Sequence, residues 1–251
     1  MDSIIKDLLY GLRGLLKHPG FAAIAVITLA LGIGANTAMF SVINGVLLRP
    51  LPYHQPEQIV TIWEESPERG MFEMPVSFAN MSEWINQSQS LGQISAYTFE
   101  NLNLTGTGEP VQLNAVRASA NLFSLVGATP MLGRTFLPEE DKDGAGRVVL
   151  LSHGLWQSRF GSDPAITGQT LTINNQPHTV VGVMPPKFNF PVGFSYLGKV
   201  LNDPTDIYVP LAPVGEEAER GNYSFFALGR LKPGASIEQA QAEMSTIESR
   251  L

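Results

Sequence analysis

The chain has 251 residues with 16 bases against 23 acids and no cysteine, so it has neither the basic surface that nucleic acid requires nor disulfides or thiolate metal sites. The charge is split along its length. The first 49 residues carry four bases and two acids, net +2, and the rest carry 12 bases and 21 acids, net −9.

In chain order, residues 3–17 come first. Ile4, Ile5, Leu8, Leu9, Leu12, Leu15 and Leu16 recur at three- and four-residue steps, while Lys6, Asp7, Arg13 and Lys17 occupy much of the remainder. Ser3 is a suitable N-cap and His18-Pro19-Gly20 a stop, which predicts a basic amphipathic helix within residues 1–20. Such a helix lies in the cytoplasmic membrane interface; the competing reading is a plain helix packed on protein.

Between Lys17 and Arg49 there is no Asp, Glu, Lys or Arg. The uncharged run exceeds the roughly 20 residues needed to cross a hydrocarbon core, and it far exceeds the apolar stretch of a cleaved signal peptide. Residues 21–48 are therefore predicted to be a transmembrane helix. Lys6, Arg13 and Lys17 precede it and Arg49 alone follows closely, which places the N-terminus in the cytoplasm. Within the span, Gly32 and Gly34 flatten one side, and Asn36 and Asn44 need polar partners in lipid. These four residues predict packing against other transmembrane helices or a second copy.

After Arg49-Pro50-Leu51-Pro52 the composition is that of a soluble domain. Strands are expected at 59–64, 94–104 and 111–118, a helix at 78–88 with Phe78, Met81, Trp84 and Ile85 on one face, and a short helix at 121–126. A different texture begins near Gly144. There the expectations are a strand at 148–151, a helix at 155–160, a hairpin of 170–173 with 178–183 across Asn174-Asn175-Gln176-Pro177, and a strand at 207–211. A strand at 225–231 then turns at Lys232-Pro233-Gly234-Ala235 into a helix capped by Ser236 with Gln239, its apolar stripe being Ile237, Ala240, Met244, Ile247 and Leu251.

No catalytic motif emerges. The phosphate loop, Gly-x-Ser-x-Gly and His-Glu-x-x-His are absent, and Gly32-Ile33-Gly34 lies in the span. Ser152-His153 are adjacent without the spatial relation a nucleophile and base require. His18, His54, His153 and His178 lack ligand spacing. The acid runs Glu139-Glu140-Asp141-x-Asp143 and Glu216-Glu217-x-Glu219 read as solvated turns, and Trp63, Trp84 and Trp156 as core residues. The expectation is a non-enzyme without cofactor or metal.

Two stretches carry a family resemblance: ALGIGANTAMFSVIN at 30–44 followed by LLRPLPY at 47–53, and LSHGLWQSRFGSDP at 151–164 continuing through Gly168 and VVGVMPP at 180–186. In this order, and over residues 3–251, the chain resembles the MacB-type ABC transporter permeases, most closely the duplicated orphan permeases common in acidobacteria. The resemblance implies an α+β protein of the inner membrane: an amphipathic helix, one transmembrane helix, and a periplasmic domain. That domain would combine a βαβ-repeat, ferredoxin-like lobe (53–143 and 222–251) with an inserted, mostly β lobe (144–221). It further implies a separate cytoplasmic ABC ATPase as partner, and a periplasmic adaptor or cargo. Relatives carry three further spans, so the chain reads as an N-terminal fragment. The expected function is transmission of cytoplasmic ATP hydrolysis to the periplasm by conformational change. The alternatives are a periplasmic regulator of cell-wall hydrolases and a membrane-tethered periplasmic enzyme.

Overall fold

The computed structural model describes residues 16–17, 19–43, 53–66, 68, 70–106, 108–191, 194–196, 199–201 and 204–250, without the side chains of residues 25, 41–43 and 192–203. The contacts divide the chain into two units, Met1–Pro50 and Leu51–Leu251.

The first unit contains helix α1, Pro19–Ile43. Over Pro19–Phe40 it is long and apolar enough to cross a membrane. At 25 residues it measures about 37 Å. Phe21, Ile24, Ile27, Leu31 and Phe40 are all more than half exposed, and apolar residues on every side suit a lipid solvent better than a protein core. The expected stop at His18-Pro19-Gly20 is not seen at Pro19 and Gly20, which form the first turn of α1. Proline is tolerated there because its missing N–H would have no partner in the helix. Leu16 and Lys17 are also helical; His18, residues 44–48 and the rest of the 3–17 helix lie outside the described residues.

The second unit is built on one large sheet. Its strands are β1 (Ile59–Ile62), β4 (Val76–Ser77), β5 (Leu91–Thr105), β6 (Val111–Ala118), β7 (Leu132–Gly133), β8 (Val148–Leu151), β9 (Thr170–Ile173), β10 (Gln176–Val183), β13 (Ile207–Pro210) and β14 (Tyr223–Leu231). Two small ladders stand apart, β2 (Glu64–Ser66) with β3 (Met71–Met74), and β11 (Phe194–Tyr196) with β12 (Lys199–Leu201). The sequence reading anticipates none of β2 to β4, β7, β11 and β12, which are two to four residues long and, unlike the equally short β1, β8, β9 and β13, are not runs of apolar and β-branched residues.

Helix α2 (Phe78–Gln87) joins β4 to β5, and helix α5 (Ile237–Glu248) follows β14. Ser77 caps α2 by accepting from the Asn80 N–H, and Ser236 with Gln239 forms the expected capping box on α5. Strands β1, β14 and β5 pair in that order, all antiparallel. Both helices cover this part of the sheet: Met81, Trp84, Ala240 and Ile247 share a core with Ile62, Leu91, Ile94, Phe225 and Ala227. Ile85 and Ile237, expected on the apolar faces, are instead more than half exposed.

Glu64 sits beneath the start of α2 and is 5% exposed. Its Oε1 accepts from the Ser77 N–H at 2.8 Å and from Asn80 Nδ2 at 3.2 Å. Burial pushes its pKa above the ordinary value, with Glu248 adding to the rise against those two hydrogen bonds. A raised folded-state pKa means that Glu64 favours the fold below its unfolded pKa, and that this contribution is lost as pH rises through the raised value. Asn80 Oδ1 is buried without a partner among the described residues. Glu64→Gln keeps an acceptor oxygen and removes the buried charge. It is expected to raise the melting temperature at pH 7 by a few degrees relative to wild type, with the difference vanishing at pH 4. An equal shift at both pH values in a thermal melt counts against this account.

The rest of the sheet closes on itself. β5 pairs β6, β6 pairs β13, β13 pairs β8, β8 pairs β10, β10 pairs β9, and β9 returns to β5 through Leu104↔Ile173 and Thr105↔Thr172. The result is a six-stranded barrel. Leu102, Leu104, Leu113, Ile173, Ile207 and Val209 belong to one cluster, which also takes in Leu155 and Trp156 of helix α4 (His153–Phe160). The residues of opposite parity, among them Val116, Leu150 and Tyr208, join a third cluster with Leu122, Phe123 and Leu125 of helix α3 (Leu122–Val126). The β9–β10 turn is tighter than expected: Asn174 and Asn175 alone form it, both at positive φ, and Gln176 already belongs to β10.

Candidate functional site

The described part of the second unit begins at Tyr53, on the chain that follows α1. Three residues on, Pro56–Gln58 make a single 3-10 turn whose first residue is proline, and Gln55 ahead of it is left-handed. Such a segment has few contacts of its own, so what fastens it to the sheet decides how the domain is held.

Arg230 is the fastener. It lies on β14 opposite Ile59 of β1, and its guanidinium reaches past the end of α3. Nε and Nη2 donate to the Leu125 carbonyl at 2.8 and 2.6 Å, and Nη2 donates also to the His54 carbonyl at 2.6 Å. Nη1 points at the Gln55 carbonyl and Gln58 Oε1, each at 3.4 Å. The planar fork of an arginine spreads five donors in a fixed geometry and reaches carbonyls on separate segments, where a lysine offers three donors from a single point. The His54 N–H donates in turn to the Val126 carbonyl at 3.0 Å.

Gly127 makes this approach feasible. It ends α3 at φ 72°, and a Cβ there would stand 2.3 Å from the His54 Cβ. Only glycine supplies both that backbone conformation and that space. On the other side, the Tyr53 ring lies 6.1 Å from Phe190, which stacks edge-on with Tyr97 at 4.9 Å. Phe123 and Tyr208 meet edge-on at 5.4 Å, and the Tyr208 hydroxyl accepts from the Phe190 N–H. Burial drives the phenol pKa values of Tyr97 and Tyr208 far up, so both stay neutral. The clamp is a positioning device of hydrogen bonds and rings. Sequence reading missed it because Arg230 is 176 positions from His54.

The residues expected to pack in the membrane do not form a cluster with anything described. Gly32, Gly34 and Asn36 lie on exposed faces of α1, with open space at both glycines, and Asn44 lies outside the described residues. Ser152 caps α4 by accepting from the Leu155 N–H, and the His153 ring rests 5.6 Å from Trp156. Trp84 and Trp156 are core residues as expected, each with its Nε1–H donated, to Glu248 and to the Asp163 carbonyl. Trp63 packs edge-on against Phe226.

The acid runs are not simple solvated turns. Glu140 takes Arg134 at 2.6 Å, which holds its pKa below the ordinary value. Asp141 accepts the N–H groups of Ala120 and Ala212, joining the ends of β6 and β13, while burial raises its pKa against those bonds. Glu217 takes Arg117. Two carboxylates of the first run and one of the second have found partners far off in sequence or across a turn, information that local composition does not hold.

The fold is shared with solved structures. The periplasmic region of MacB from Actinobacillus actinomycetemcomitans superposes with a TM-score of 0.53 at 15% identity, over 76% of this chain and 82% of that one. The extracellular domain of the noncanonic ABC-type transporter YknZ from Gram-positive bacteria gives 0.52 at 13% identity, over 74% and 88%. A domain of a putative permease from Porphyromonas gingivalis gives 0.59 at 16% identity, over 79% and 86%. Comparison with the curated proteins returns no match. The model of the MacB-like periplasmic core domain matches residues 22–247, taking in most of α1 and nearly all of the sheet domain, and the chain belongs to that family of ABC-type transporter permeases.

Proposed function

We propose that this chain is the part of an ABC-type permease that carries the work of a separate cytoplasmic ATPase to the outer side of the inner membrane. In this reading the N-terminus is cytoplasmic, α1 crosses the membrane, and the sheet domain is periplasmic. A lobe of residues 53–143 and 222–251 receives the motion, and a lobe of residues 144–221 meets the adaptor or cargo. Gly32, Gly34, Asn36 and Asn44 form the face on which α1 packs against other transmembrane helices or a second copy.

The observation that carries the reading is the clamp. Helix displacement reaches the second unit along the chain through Tyr53–Gln58, and the Arg230 guanidinium ties that segment to β14 and α3. A transmitting element needs packed contacts that move as a body, which such a fastening provides. Purification of the tagged chain from its native membrane is expected to bring an ABC ATPase with it. Recovery without any ATPase, from membranes in which the chain is abundant, overturns the proposal.

A further inference from the structure

We infer that the groove between β1 and α5 is a binding site for a small organic ammonium with an apolar body. Val60, Ile62 and Glu64 alternate along the chain, and the first two join the core beneath α2 and α5. A cavity of about 300 Å³ lies between this stretch and α5, walled by Ile62, Trp84, Ala240 and Met244. Three carboxylates line it as well, Glu64 and Glu65 of β2 and Glu248 at the end of α5. A few polar groups set in an apolar wall are what fix the orientation of a small ligand.

The charges at this groove are of one sign, since no Lys, Arg or His lines it. Counting the neighbourhood does not reverse this. The hairpin 64–74 adds Glu68 and Glu73 against Arg69, and with Arg220 and Arg250 the sum is five acids against three bases. Glu64, 5% exposed, shows the shortage of cations at close range. Burial raises its pKa, the Ser77 N–H opposes the rise, Glu248 adds to it, and Arg220 is the weakest influence. Asn80, which donates to Glu64 through Nδ2, leaves its Oδ1 buried with no partner among the described residues. Trp84 donates its Nε1–H to Glu248 at 3.3 Å, and its ring offers a face to a cation. An ammonium seated between Glu64 and Glu248 supplies the missing positive charge, while its apolar body covers Ile62 and Met244.

The inference concerns the helix-covered sheet alone and holds or falls separately from the transport reading. Its test is an indole NMR titration of the full chain in neutral detergent near neutral pH. Benzylamine is the probe, and benzyl alcohol, benzoate and methylammonium are the comparisons. The chain has three tryptophans, so the Trp84 Nε1–H reports on the groove, and that of Trp156, donated to the Asp163 carbonyl, is the internal control. Benzylamine is expected to shift the Trp84 signal saturably and leave Trp156 unmoved. The comparisons lack the charge, reverse it or lack the apolar body, and each is expected to bind about tenfold more weakly. Glu64→Gln with Glu248→Gln is expected to weaken benzylamine about tenfold without affecting benzyl alcohol, an unchanged Trp156 signal showing that the variant is folded. Glu216→Gln with Glu219→Gln removes equal charge outside the groove and is expected to change neither. Equal binding of benzyl alcohol, undiminished binding to the Glu64 and Glu248 double variant, or no saturable shift at Trp84 overturns the inference. β1 pairs with β14 alone among the described residues, which makes an extended peptide the competing occupant. An alternating valine-lysine peptide that protects the β1 amides from exchange, while benzylamine leaves Trp84 unmoved, gives the groove to a strand and overturns the inference as well.

Discussion

Gly182→Ala is expected to cost about 3 kcal/mol or more, a large part of the stability of an ordinary domain. Gly182 lies in β10 at a register shift, pairing Gly133 of β7 on one side and Leu150 of β8 on the other. A Cβ there would stand 2.7 Å from the carbonyl oxygens of Leu132 and Arg134 and 2.9 Å from Leu150 Cδ2. Two of those three contacts are backbone, so relief requires β7 to leave β10. The reciprocal position is equally closed, since a Cβ on Gly133, at φ 71°, would lie 2.1 Å from the Val181 oxygen. Urea denaturation followed by tryptophan fluorescence is expected to show a midpoint lowered by about 1–3 M for Gly182→Ala. Gly154→Ala is the control: in α4 its Cβ would meet only Ser152 Oγ at 4.0 Å, and helix propensity predicts a gain of up to about 1 kcal/mol. A Gly182→Ala protein as stable as wild type removes the argument from close approach.

Arg230→Met is expected to cost about 2–4 kcal/mol and to free the segment after α1. The carbonyls of Leu125 and His54 lose charged donors at 2.6–2.8 Å, and the methionine keeps most of the apolar stem. Hydrogen exchange separates this from a general loss of stability. Amides of residues 54, 55, 57, 58 and 125–127 are expected to exchange faster under conditions where those of β6 and β8 do not change. Arg230→Lys restores charge without the fork and is expected to recover less than half of the loss. Uniform acceleration across the sheet, or none at residues 54–58, defeats the clamp as a local fastener. If the transport reading holds, the same variant is expected to keep its ATPase partner and lose coupled work, because Arg230 lies far along the chain from α1.

Much of the local structure is legible in the sequence. The strand expected at 148–151 appears as β8, the helix at 78–88 as α2, and the Ser236–Gln239 capping box as expected. These depend on contacts within a few residues, or on a run of apolar side chains long enough to declare its period. β5 shows where that stops. Read as a strand over 94–104, it spans Leu91–Thr105, with Leu91–Tyr97 paired to β14 and Tyr97–Leu104 paired to β6. One strand serves the helix-covered sheet and the barrel together, and its polar and apolar residues alternate on neither face throughout.

The uncharged run of α1, the acidic domain after it, and most of the strands and helices of that domain can be read before any fold is known. Burial of an apolar run and the capping of a helix are local, so composition and spacing suffice to declare them. The family motifs belong to the same class, being short and continuous. The return of β9 to β5, the glycine crossing at Gly133 and Gly182, and the grip of Arg230 on His54 and Leu125 were decided by the tertiary structure alone. Each joins residues far apart in the chain, and which strand edge or carbonyl lies within 3 Å of a given side chain depends on register, twist and packing rather than on any residue's neighbours in sequence.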